Sequence, residues 1–225
     1  APFAAAVAAL TDAGTSPEML QYGTNQGRPG LRRQLAARLE REEGWPAGRA
    51  DPEHFFVTNG SHQALYLAMQ ALCDPGDIVF VERPSYFVFL ELLTGLGIEA
   101  RSLPVADDGA LDLPALDRLL VAMRRDGSIG RLKAVYLIGY FANPSGRSLG
   151  VEEKRGLART LAAHGQHLPT IEDAAYRQMA FDGTAGAPSI LALDEWAGFP
   201  RLYAGTLTKP FATGLKVGYG CCTDA

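Results

Sequence analysis

Short β-rich runs alternating with longer stretches of helical period dictate what this chain can fold into. Phe55–Thr58 reads as a strand, and after it Ala64, Leu65, Ala68, Met69 and Leu72 recur at helical spacing until Asp74-Pro75-Gly76 stops the helix. Ile78–Val81 is the next strand, followed by a helix over Tyr86–Leu96 that stops at Gly97 and a strand over Ile98–Leu103. Asp112 caps a helix carrying Leu116, Leu119, Leu120 and Met123. Leu132–Ile138 is an apolar strand of the kind buried on both faces. A helix over Val151–His164 ends at Gly165, Leu168–Ile171 and Arg201–Leu207 are further strands, and Val217–Cys222 is a last, antiparallel one. This alternation predicts an α/β fold: a mostly parallel, seven-stranded sheet with helices on both faces.

Composition supports a water-soluble domain with a large core, since 47% of the residues are hydrophobic and 20% charged. A net charge of −4 argues against a nucleic-acid-binding surface. No window approaches the length of a membrane span, and Ala1–Leu10 lacks the basic start of a signal peptide. Neither nucleic acid nor membrane is therefore expected as a partner. Of the cysteines Cys73, Cys221 and Cys222, two are adjacent and all three cannot pair, which fits free thiols in a reducing, cytoplasmic setting. All three are expected to be small buried apolar residues.

In open parallel sheets, ligand groups gather at the carboxyl ends of strands. Here those ends carry Asn59-Gly60-Ser61-His62, Glu82-Arg83-Pro84-Ser85-Tyr86, Asn143-Pro144-Ser145-Gly146, Glu172-Asp173 and Thr208-Lys209. Lys209 is the most telling. An amine after a strand, flanked by small hydroxyl residues and followed by a Gly-rich segment, fits a Schiff-base former, because a desolvated amine with a lowered pKa attacks an aldehyde. Such a lysine points to pyridoxal phosphate, which needs a phosphate cradle, an acid for its ring nitrogen and a ring stacker.

Each need has a candidate, and each candidate has a plainer explanation. Gly60-Ser61-His62 opens a helix whose unpaired N–H groups and positive dipole end suit a phosphate; Ser61 also reads as an ordinary N-cap. Asp173 can keep a pyridine nitrogen protonated, but it also reads as a helix cap, and strand alternation lets only one of Glu172 and Asp173 face the site. Tyr176, one turn beyond Asp173 if the segment is helical, can hydrogen-bond a ring oxygen or pack in the core. Asn143 can donate to the same oxygen or serve the Asn-Pro-Ser-Gly turn. Tyr86 can stack on a ring or join Phe87 and Phe89 in a core. Thr206 and Thr208, on one face of a strand, can reach a phosphate. Lys216 offers a further cation, a rival amine, or an ordinary surface lysine. Tyr22-Gly23-Thr24-Asn25-Gln26-Gly27 precedes a helix with Leu31, Leu35 and Leu39 on one face.

In order along the chain, these residues resemble the fold-type I, pyridoxal-phosphate-dependent aminotransferases of class I/II. Tyr22…Gly27…Leu31-Arg32 looks like the family's opening pattern, Gly60-Ser61-His62 like its phosphate loop and Asn143-Pro144-Ser145-Gly146 like its Asn-Pro-(Thr/Ser)-Gly motif. Asp173-Ala174-Ala175-Tyr176 looks like its Asp-x-x-Tyr pair and Thr206-Leu207-Thr208-Lys209 like its lysine motif. The 2-aminoadipate and aromatic aminotransferase branch, which includes MocR-type regulators, is the most similar part of the family. By resemblance, residues 46–225 form the large cofactor-binding domain and residues 1–45 an N-terminal segment and helix of the dimer and active-site region. The family's small C-terminal domain, with the arginine that binds the substrate carboxylate, is not expected within this chain.

The resemblance implies a catalytic set of Lys209, Asp173 and Tyr176. Lys209 is the Schiff-base lysine and proton carrier, Asp173 the partner of the pyridinium nitrogen, and Tyr176 and Asn143 the partners of the ring oxygen. Tyr86 stacks on the ring, Ser61, His62, Thr206 and Thr208 line the phosphate, and Tyr22 reaches the phosphate of a neighbouring subunit in a homodimer. No metal site is implied. Two residues depart from the family pattern. Lys216 stands where an arginine is usual, keeping the charge but losing the planar fork, and His62 stands where glutamine or a small polar residue is usual, adding an acid/base group. The implied activity is transfer of an amino group between an amino acid and a 2-oxo acid. A lyase, decarboxylase or oxidative deaminase on the same fold, or a cofactor-sensing regulator domain, would use the same cofactor residues.

Overall fold

The alternation becomes a layered sheet in the computed structural model, which describes residues 2–12, 21–181 and 186–223, with side chains 4–9 in the first stretch. Two helices, α1 (Pro2–Asp12) and α2 (Pro29–Glu43), precede β1 (Phe55–Asn59), α3 (Ser61–Leu72), β2 (Ile78–Val81), α4 (Phe87–Gly95) and β3 (Glu99–Ser102). Then come α5 (Leu113–Arg125), β4 (Leu132–Ile138), α6 (Val151–Ala163), β5 (Thr170–Asp173), β6 (Arg201–Thr206) and β7 (Val217–Thr223). The sheet has seven strands in the order β1-β7-β6-β5-β4-β2-β3. Neighbours are parallel from β6 through β3, and β7 runs antiparallel to both β6 and β1. The reason for that reversal is local: the link across residues 207–216 is too short for the crossover a parallel pair needs.

Side-chain alternation divides the core between the two faces of the sheet. Ile78, Phe80, Val135 and Leu137 face α5 and α6, packing with Leu120, Leu157, Leu161 and Trp196. Val79, Val81, Tyr136 and Ile138 face α3 and α4, packing with Leu65, Met69, Phe89 and Leu93. Helix α2 buries the predicted stripe of Leu35 and Leu39 against Phe55, Tyr203 and Tyr219, with Leu31 half-buried beside them. Asp112 caps α5 as expected, accepting the Ala115 amide proton at 2.9 Å.

Several expectations need correction. The Ala-rich start is helical in α1, which its composition favours but which the motif reading passed over. Tyr86 is the N-cap of α4 and not its first residue. The fifth strand lies two residues later than predicted, because its ladder with β4 pairs Ile138 with Asp173 and so draws Glu172 and Asp173 into the strand. Of the cysteines only Cys221 is buried; Cys73 is half-buried, and Cys222 is exposed because adjacent residues of β7 point to opposite faces. Among the described residues, no helix is long and apolar enough to cross a membrane.

Candidate active site

Strands β2, β4, β5 and β6 all end on the same side of the sheet, and α3 begins there because β1 ends there. The parallel ladder thus delivers distant residues to one place. Ser61, His62, Tyr86, Asn143, Asp173, Tyr176 and Lys209 line a single cavity of about 60 Å³, with Ile138 and Leu65 as its apolar floor. Size does not pick out this site. A groove of about 680 Å³ runs along α5, and cavities of about 310 and 370 Å³ lie at the opposite end of the strands, none lined by a predicted residue.

Asp173 forms the polar base of the cavity. It ends β5 beside Ile138 and is buried, while Glu172 takes the other face, as alternation requires. There Glu172 pairs at 2.7 Å with the equally buried Lys154 and accepts the Ile190 amide proton at 2.9 Å. Asp173 instead accepts the Tyr136 hydroxyl proton on Oδ2 at 2.9 Å and the Ala175 amide proton on Oδ1 at 3.0 Å. Desolvation raises its pKa above the usual carboxylate range, opposed by these two donors and by nearby His62. It is an acid held without a cationic partner among the described residues, facing a cavity.

The start of α3 forms one wall. Gly60, not Ser61, is the N-cap, with φ 77°, and no side chain caps the helix. The first amides of α3 therefore have no side-chain acceptor, and Ser61 and His62 flank them at the cavity. The position of this turn depends on Gly218 in β7, where a Cβ would lie 2.2 Å from the Gly60 carbonyl carbon and 2.3 Å from the Ser61 nitrogen. Thr206 and Thr208 do not line the cavity. Strand β6 ends at Thr206, so Thr208 shares its side through a turn, and both hydroxyls donate to the Val217 carbonyl, at 3.1 and 3.4 Å. Lys216 is exposed in the left-handed region with φ 52°, its backbone carbonyl close to Gly60.

Tyr176 lies in the turn after β5 and is not one helical turn beyond Asp173; a hydrogen bond from the Arg177 amide to the Ala174 carbonyl closes that turn at 3.1 Å. The turn still brings the phenol to the cavity, with the Lys209 ammonium 5.4 Å from its ring centroid. Lys209 itself is exposed rather than desolvated, because it follows β6 in an open turn. Tyr86 is half-buried at the cavity, whereas Phe89 takes the core position and Phe87 is exposed, so the competing core role falls to Phe89. Burial, with Tyr176 and Asp173 nearby, raises the Tyr86 pKa. Asn143 is half-buried in a turn closed by the Ala142 amide on the Arg147 carbonyl at 2.7 Å. Tyr22 is fully exposed and away from the cavity.

Sequence reasoning gives no individual role to three features. Tyr136, inside an apolar strand, looked like core. Glu82 is buried at the end of β2, and its Oε2 accepts the Ile138 amide proton at 3.1 Å. Desolvation pushes its pKa up to about 8. Arg177 ties the Tyr176 turn to Glu43 at the end of α2, linking the N-terminal helix to the cavity. The one available signal was Glu82 itself, a carboxylate directly after an all-apolar strand.

Comparisons with known proteins point the same way. The family described as aminotransferase class I and II matches residues 1–225. The chain is 31% identical over 202 residues to aromatic-amino-acid aminotransferase 1 of Thermococcus litoralis, covering 90% of this chain and 46% of that protein. It is 32% identical over 201 residues to the 2-aminoadipate transaminase of Thermus thermophilus, covering 89% and 46%. A Pyrococcus horikoshii kynurenine aminotransferase, solved in complex with PMP, superposes with a TM-score of 0.81 at 27% identity, over 96% of this chain and 50% of that one. The chain thus spans about half the length of the relatives it matches. The family match over residues 1–225 runs through every strand that feeds the cavity: the chain belongs to the class I and II aminotransferases.

Proposed function

We propose that the whole protein is a pyridoxal-phosphate-dependent aminotransferase, moving an amino group between an amino acid and a 2-oxo acid. One observation carries this reading. Of the four lysines, Lys133, Lys154, Lys209 and Lys216, Lys209 alone lines the cavity that holds the buried carboxylate of Asp173. A buried acid with no ion pair among the described residues, helix amides with no side-chain cap and an accessible amine match the ring nitrogen, phosphate and aldehyde of the cofactor. When bound, pyridoxal phosphate supplies an electrophilic carbon and an electron-withdrawing ring.

The chain's own residues do the rest. Lys209 would hold the cofactor through Nζ at its aldehyde carbon, the carbonyl oxygen leaving as water, and as the released amine would carry the proton at the substrate's Cα. Asp173 holds a proton on the ring nitrogen, which offsets its own desolvation. Asn143 and Tyr176 donate to the ring oxygen, and Tyr86 packs on the ring face. The α3 amides with Ser61 and His62 hold the phosphate, and Thr206, Thr208 and Lys216 support that wall from behind. Residues 46–225 act as the cofactor-binding domain. Residues 1–45 belong to the dimer and active-site region of a cytoplasmic homodimer, and Tyr22, fully exposed on its own chain, reaches the phosphate of the neighbouring subunit. The aminotransferase names of the relatives favour transamination over other chemistry at this cofactor.

Borohydride reduction of the protein loaded with pyridoxal phosphate, followed by peptide mapping, tests the reading. The expected label is on Lys209. A label on Lys216, or none, sinks the assignment.

A further inference from the structure

We propose that Tyr136 is a positioning residue, whose phenol orients the Asp173 carboxylate toward the cofactor's ring nitrogen. The inference rests on the reading of Asp173 given above. In the β4–β5 ladder Tyr136 sits opposite Ile171 and Ile138 opposite Asp173, so the tyrosine lies one two-residue step below the acid on the same face. That offset lets a side chain of phenol length reach the carboxylate from beneath, and the Tyr136 hydroxyl meets Oδ2 at 2.9 Å. The ring cannot swing away: it is fully buried and stacked on Phe89, with centroids 3.8 Å apart and planes 22° apart.

The Ala175 amide holds the other oxygen at 3.0 Å, so one donor on each oxygen fixes the carboxylate plane. The remaining lone pairs are left for a partner in the cavity. The phenol also opposes protonation of Asp173, whose pKa desolvation raises, and its own burial keeps it a donor by raising its pKa far above the usual range. Without the hydroxyl, one carboxylate oxygen loses its fixed contact and the acid more readily keeps a proton, and both changes weaken an ionic bond to a protonated ring nitrogen. A purely structural tyrosine, by contrast, would hold the core for any ligand alike.

The test uses the full-length protein and two cofactors: pyridoxal phosphate and its 1-deaza analogue, in which a C–H replaces the ring nitrogen. Wild type is expected to bind pyridoxal phosphate more tightly, and Asp173→Ala to lose that preference. If Asp173→Ala keeps it, the reading of Asp173 fails. Tyr136→Phe keeps the ring and its stack, and should weaken pyridoxal phosphate about tenfold, the scale of a hydrogen bond to a charged group. It should leave the deaza analogue unchanged, and should add nothing in an Asp173→Asn background. Equal losses for both cofactors, or no loss, overturn the positioning role. If Tyr136→Phe does not fold, 3-fluorotyrosine at position 136, a stronger donor, should change affinity for pyridoxal phosphate but not for the deaza analogue; equal behaviour again overturns the role.

Discussion

Gly218→Ala is the sharpest probe of the proposal that the start of α3 holds the cofactor's phosphate. The new Cβ would meet backbone, 2.2 Å from the Gly60 carbonyl carbon and 2.3 Å from the Ser61 nitrogen. Ordinary contact needs about 3.4 Å or more, so β7 and the start of α3 must separate by roughly 1 Å, and neither can yield by rotating a side chain. Overpacking of this kind costs about 1–3 kcal/mol, or a melting temperature lower by about 2–12 °C for a chain of this size. The functional effect should be larger, because a displacement of about 1 Å can cost about 10²-fold where geometry matters. Gly220→Ala is the control: its Cβ meets the Phe56 ring at 2.3 Å, away from the cavity, and should destabilise the fold while sparing the cofactor. Thermal melting of the cofactor-free protein and equilibrium titration with pyridoxal phosphate separate the two effects. Unchanged cofactor affinity in Gly218→Ala, with the fold intact, would falsify the claim that the start of α3 holds the phosphate.

Three further outcomes are expected. Lys209→Ala should abolish the borohydride-stable label and reduce transamination by several orders of magnitude while leaving the melting curve near wild type, since the side chain is exposed; a large loss of stability would mean that Lys209 is structural. Lys154→Met should leave Glu172 as an unpaired buried charge and cost about 3–5 kcal/mol by denaturant unfolding. The added change Glu172→Leu should restore a good part of that, and a neutral Lys154→Met would refute the pair's role. Glu82 has a folded pKa of about 8 against an ordinary 4.5, so the folded chain keeps a proton that the unfolded chain has lost, and its contribution to stability is lost as pH rises from about 4.5 through about 8. Glu82→Gln should flatten that decline in a pH series of melting curves; an unaltered slope would show that another group sets it.

What the sequence made legible follows from periodicity, and what it hid follows from distance. Two-residue alternation alone posed the choice between Glu172 and Asp173. A strand beginning at Thr170 settled it, yet the strand's start was misplaced because it depends on pairing with β4, not on local composition. Ser61, His62, Tyr86, Asn143, Asp173, Tyr176 and Lys209 share one cavity because every parallel strand ends on one side, a property of topology that a strand-helix alternation already implies, whereas Tyr22, Thr206, Thr208 and Lys216 lie outside its lining. Lys209 follows a strand as its sequence neighbours imply, but its exposure is not legible there, since solvent access belongs to the assembled surface and not to sequence neighbours. Tyr136 was unreadable for a related reason: a tyrosine in an apolar strand looks the same whether its hydroxyl meets water, a carbonyl or the acid of the site. Only the register between β4 and β5 distinguishes these, and that register places the phenol under Asp173. Asp173, the proposed acid of the site, is therefore specified twice, once by a motif visible in the chain and once by a strand pairing that no motif records.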